Sequence, residues 1–375
     1  MTLVSPDRVS APAGWIGGRR FDLVFFFGST FVAVLVGALA LAVPALVLPI
    51  WWAFLLFIEG PHLVATYLRT YLDPGERRAR GALLLGSLAW LLPGFVAWGA
   101  MRAIGLRAPF DLFLLFAALW SFHHAIRQYW GILAIYQHHA RTSPAARRAD
   151  RLFLHGALWA AFGLFSFGHP FNRTLFGIPD PAPAWLRIAG IAAAAILVLG
   201  TAAFVLYRLL RFRGEPARPL LFLLGPALGL QAFAMFVIGA FEPLIPHPEN
   251  PEAAFLATAT VGGIVHGLHY LGIISAVSRR RHAAGDAQHI AARLGRRPLV
   301  AYGVLVVASI LYVALNAARG VVPSPAFFPQ KGAAVELFLV LYWGIFFHHY
   351  YLDQRIWHVR EDRRLRFELG LEASP

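Results

Sequence analysis

The 375-residue chain contains no cysteine, which excludes disulfides, thiolate metal ligands and cysteine-held iron–sulfur clusters. Charge is scarce as well: Asp, Glu, Lys and Arg make up 14% of the residues, against 58% that are hydrophobic. With a mean hydropathy of +0.61, the chain has too little polar surface for a water-soluble globule. It reads as an all-α, polytopic membrane helix bundle. Acidic residues are fewer than basic ones, 19 against 33, which leaves a net charge of +14. The arginines lie in short clusters between apolar runs, so the excess belongs to membrane topology, and no nucleic-acid partner is expected. A P-loop, a dinucleotide fingerprint and the His-Glu-x-x-His pattern of hydrolytic zinc enzymes are all missing.

Residues 1–18 are polar and rich in Pro, Gly and Ser, and are expected to form a disordered cytoplasmic tail. Residues 19–357 read as a transmembrane helical domain, and 358–375 as a cytoplasmic C-terminal tail. Arg19-Arg20 ahead of an apolar run has the form of a twin-arginine export signal, but the number of later runs makes a first membrane anchor the better reading. Runs of spanning length recur about ten times, near residues 23–43, 50–71, 81–104, 110–134, 152–167, 185–209, 220–240, 253–277, 299–318 and 332–356. Arginine clusters fall on alternate connections, and the connections between them are rich in proline. That alternation places both termini in the cytoplasm, and the expected location is a bacterial inner membrane, in contact with lipid.

Polar side chains inside such runs call for an explanation, because an ionisable group in hydrocarbon is costly unless it is paired or binds a metal. The second run carries Glu59-Gly60-Pro61-His62, whose acid and imidazole share a face that continues through Thr66 to Arg69. Glu-x-x-His is the spacing with which di-iron helix bundles project two ligands inward. On the fourth run His123 and His124 are adjacent, some 100° apart around the helix, with Gln128 one turn below. The eighth run offers His266 and His269 on one stripe, and the tenth offers His348, His349 and Asp353. Counted back from the arginine at each helix end, these histidines lie at similar depth, which favours a shared metal centre over separate hydrogen-bonding roles. His155, about one turn into the fifth run, is an additional ligand candidate. His169 and His247 sit beside prolines in connections, where a turn or cap role is expected. A faint repeat pairs Glu59–His62 with His266–His269, and Phe122-His123-His124 with Phe347-His348-His349. It fits a parallel repeat of helices 1–4 and 7–10.

Histidine and carboxylate ligands without sulfur suit iron, zinc, copper or manganese. In ligand type and depth, these motifs resemble the histidine-rich integral-membrane non-haem di-iron class of desaturases, hydroxylases and alkyl monooxygenases. The HxxxH and HxxHH boxes of that class are absent from this chain. The resemblance implies two iron ions, dioxygen activation and an apolar, lipid-like small-molecule substrate entering from the bilayer. Electrons would come from a donor protein or a membrane quinol, since the chain carries no reductase motif. Two other functions use the same residues: a proton or divalent-metal transporter, and a haem protein with paired histidine ligands.

Overall fold

The computed structural model describes residues 14–168, 182–239, 251–282, 289–317 and 333–372. Backbone polar groups in hydrocarbon must be satisfied within their own segment, which favours helices. No strand occurs among the described residues. The helices are α1 (Arg19–Ala42), α2 (Pro44–Arg69), α3 (Pro74–Ile104), α4 (Ala108–His139), α5 (Pro144–Gly168), α6 (Ala184–Arg211), α7 (Ala217–Ile238) and α8 (Pro251–Arg281), followed by the short α9 (Ile290–Gly295), α10 (Pro298–Ala317), α11 (Ala333–Ile356) and the short α12 (Arg363–Glu368). Seven of them, α1 to α4 and α6 to α8, are long and apolar enough to cross a membrane. Their outer surfaces agree with a lipid solvent. On α6, Ile188, Ile196, Val198 and Leu199 are each about two-thirds exposed, an apolar surface that water would not tolerate at this density. His169 and His247 lie outside the described residues.

The chain divides into two compact units, one built from residues 1–19, 55–124 and 270–375, the other from 20–54 and 125–269. In the first, α2 packs against α10 and α11, and α11 against α3. Gly60 is what lets α10 approach, for a Cβ there would stand 2.5 Å from that of Ser309. Pro61 follows. It lacks an N–H and crowds the preceding turn, and α2 widens to a π-helical turn over Leu55–Glu59 just ahead of it. Such a turn re-aims the side chains at its end and just beyond, here Glu59 and His62.

One end of the first unit is fastened by charge. Arg281 donates to Glu368 at 2.7 and 3.0 Å and to Glu76 at 2.6 Å, with Asp73 at 3.6 Å. Burial raises the Asp73 carboxyl, but the N–H groups of Gly75 and Glu76 and the Arg281 charge outweigh it and hold it below the ordinary carboxylate range. Asp362 caps α12 through Leu365 N and also accepts from Arg80 at 2.8 Å. The C-terminal segment is therefore a docked helix over Arg363–Glu368. Of the expected N-terminal tail, residues 1–13 lie outside the described residues, whereas Ile16 is buried and its carbonyl accepts from Arg280.

The second unit holds its own buried polar pairs. Tyr136 donates to Asp22 at 2.9 Å, and Arg208 meets Asp150 at 2.7 Å beside Gln137.

Candidate metal centre

Helical spacing sets out the site. On α2, His62 and Thr66 are four residues apart and share a face, as do His349 and Asp353 on α11. His124 of α4 and Tyr270 of α8 complete the group. One ligand atom from each of His62, His124, His349 and Asp353 can be chosen so that all four lie within 4.8 Å of one another, and all four residues are buried. Asp353 Oδ2 is 3.6 Å from His349 Nε2 and 3.7 Å from His124 Nε2. The His62 ring centroid lies 4.7 Å from that of His349 and 4.5 Å from that of Tyr270. Ligands around a small ion with bonds near 2.1 Å are about 3.4 Å apart when tetrahedral, and about 4.2 Å apart when opposed in an octahedron. The observed spacing fits such an ion after a small contraction.

Hydroxyls line the outer side of the ligands. Tyr270 donates its one proton to Asp353 Oδ1 at 2.7 Å. Thr66 Oγ1 stands 3.1 Å from the same oxygen, 2.5 Å from the Tyr270 hydroxyl and 2.8 Å from His349 Nδ1. Tyr270 and Thr66 have one proton each for three oxygen–oxygen contacts; when both go to Asp353, the Thr66–Tyr270 contact carries none and Thr66 accepts from His349 Nδ1–H. In that arrangement the His349 lone pair lies on Nε2, the atom that faces Asp353 Oδ2. Two acceptors aimed at each other in a buried site favour a cation between them. The arrangement is that of a metal site whose outer hydrogen bonds orient its ligands.

The other sequence candidates go elsewhere. His348 is bound by hydroxyls: its Nε2 is 2.9 Å from both Tyr71 OH and Ser87 Oγ, and its Nδ1 is 3.3 Å from Tyr67 OH. Both Tyr71 and Ser87 donate to the Leu84 carbonyl, so His348 Nε2–H is the donor to their oxygens. His123 is next to a cluster ligand but only half-buried. Glu59 lies against His62, its Oε2 3.7 Å from Nδ1, outside the four-ligand group. In the second unit, His269 Nε2 meets the Phe26 carbonyl at 3.1 Å amid the rings of Phe26, Tyr129 and Phe222. There too, Gln128 donates to the His266 carbonyl at 2.7 Å, and His155 Nδ1 lies 2.9 Å from the Arg151 carbonyl. The sequence repeat pairs His124 with His349, which share the cluster, and His62 with His269, which do not.

Sequence reasoning missed Thr66 and Tyr270 as orienting groups. Thr66 gave a signal, being one turn from His62 on the same face. Tyr270, next to His269, gave none. Glu336 of α11 accepts from Arg102 at 2.7 Å and from the Trp98 indole at 3.2 Å.

The fold and the cluster together define a helical membrane protein with a buried His/Asp group able to hold a metal ion. Comparison with protein-family models, with curated proteins and with solved structures finds no match to this chain.

Proposed function

We propose that the protein is an integral-membrane, metal-dependent oxidoreductase that acts on an apolar or lipid-like substrate drawn from the bilayer. The carrying observation is the convergence of His349 Nε2 and His124 Nε2 on Asp353 Oδ2 at 3.6 and 3.7 Å. Three imidazoles and a carboxylate leave two positions of an octahedron open, an arrangement suited to non-haem iron, and zinc, copper and manganese take the same donor types. One ion is proposed rather than two, because His348 and His269 have partners of their own. A bound iron would supply one-electron chemistry with dioxygen. Thr66 and Tyr270 keep the ligand atoms aimed, and Tyr270 OH holds a proton on the outer oxygen of Asp353. Tyr350 lies over His124, with ring centroids 4.4 Å apart, and keeps water from that imidazole.

On this reading the ten apolar runs cross a bacterial inner membrane with both termini in the cytoplasm. Electrons reach the site from a donor protein or a quinol. Protein reconstituted with ferrous iron in lipid nanodiscs should consume dioxygen when a reductant and a long-chain hydrocarbon or lipid are supplied, and Asp353→Asn should abolish the consumption. Metal uptake into proteoliposomes that depends on His349, without any oxygen consumption, would replace the enzyme with a transporter.

A further inference from the structure

At the last residue of α2, the first unit buries a cation with no carboxylate of its own. Arg69 is only 5% exposed. Its guanidinium lies 4.0 Å from the centroid of the Trp357 ring, and its one hydrogen bond runs from Nη2 to the Ile356 carbonyl at 3.2 Å. Among the described residues, the buried Nε and Nη1 have no partner, and neither has the indole Nε1 of Trp357. Arg and Trp side chains donate and never accept. Three donor atoms in one contact pair therefore lack acceptors, a costly state for buried polar groups.

The neighbouring acids are committed elsewhere. Glu368 and Glu76 both bind Arg281, and no carboxylate among the described residues lies within 4.0 Å of the Arg69 nitrogens. What the pair lacks is an acceptor bearing negative charge. We propose that Arg69 and Trp357 form an oxyanion subsite that takes a carboxylate or phosphate group. Guanidinium donors match the geometry of both.

The place of this subsite bears on its ligand. Arg69 follows His62 by seven residues, about 10 Å along the helix axis. Trp357 touches Tyr270, which in turn binds Asp353, with ring centroids 6.1 Å apart in the first contact. An anionic headgroup held here puts the chain of an amphiphile within reach of the cluster. A free inorganic anion has the same headgroup chemistry without that reach. The subsite does not depend on the metal assignment.

Equilibrium binding of radiolabelled decanoate to protein in neutral nanodiscs, before and after chelator treatment, tests the proposal, with decanol and inorganic phosphate as competitors. Saturable decanoate binding is expected, weakened at least about tenfold by Arg69→Gln. Trp357→Phe, which keeps the ring and removes only the N–H, should weaken it by a smaller factor. Decanol should not compete. Saturable binding of phosphate but not decanoate, with the same loss in both variants, would support the oxyanion site and assign it to a free anion. The proposal is overturned if neither anion binds saturably, if both variants bind like the parent protein, or if decanol competes as well as decanoate. Loss of metal binding in a separate His349→Ala control would leave these outcomes untouched.

Discussion

His348 and His349 are neighbours on α11, yet their surroundings are of opposite kinds. Around His348 are three hydroxyls, from Tyr67, Tyr71 and Ser87, which supply both a donor and acceptors and complete the imidazole. Around His349 are two more imidazoles and a carboxylate, with the Thr66 hydroxyl on the outer nitrogen. The difference shows what separates a structural histidine from a ligand in an apolar interior. Hydroxyls satisfy hydrogen-bonding capacity, whereas convergent lone pairs create a demand for positive charge.

The sharpest way to break this contrast is to exchange the roles by mutation. His349→Ala should abolish stoichiometric metal binding in the purified protein, while His348→Gln should leave about one ion per chain, as read by elemental analysis. An effect of intermediate size is expected at the hydroxyl that orients His349. Thr66→Val should weaken metal affinity about 10- to 100-fold, the range seen for outer hydrogen-bond partners of metal ligands, and Thr66→Ser should restore it. Competition with a chelator of known affinity measures both.

His348→Phe leaves Tyr67, Tyr71 and Ser87 without their imidazole, at a cost of about 1–3 kcal/mol of stability and with metal content unchanged. Thermal unfolding in detergent, followed beside the metal assay, separates the two effects. The smallest effect concerns a histidine remote from both regions. Burial lowers His282, just beyond α8, to about 4; Asp73 partly counters this, and His289, Arg281 and Arg364 add to it. Its unfolded value is near 6.5, so between the two the unfolded chain binds more protons. Stability from this group is then complete above about pH 6.5 and declines as the pH falls toward 4. Replacing His282 by Gln should flatten that slope in denaturation curves, whereas an unchanged slope would remove His282 as its source.

The helical membrane class was legible because apolar runs are long-range features of composition, and seven of the helices among the described residues are long and apolar enough to cross a membrane. The site was legible only as a list. His62, His124, His349 and Asp353 all stand among the sequence candidates, but so do their neighbours. At each doublet the adjacent imidazoles differ by about 100° in direction. Which one turns inward depends on helix rotation, set by contacts between helices such as that of Gly344 on α11 with the Leu91 backbone of α3. His269 shows the same limit, for its carbonyl partner Phe26 is 243 positions away in the chain. Thr66 and Tyr270 escaped notice as orienting groups because their roles exist only through contacts between helices.

X-ray absorption at the metal edge of protein loaded with a single transition metal addresses the central claim most directly. The account predicts three imidazole nitrogens and a carboxylate oxygen at about 2.0–2.2 Å, with one imidazole lost in His124→Ala and none in His348→Gln. A bound metal with fewer than two imidazole ligands, or a ligand shell unchanged by His124→Ala, would contradict it.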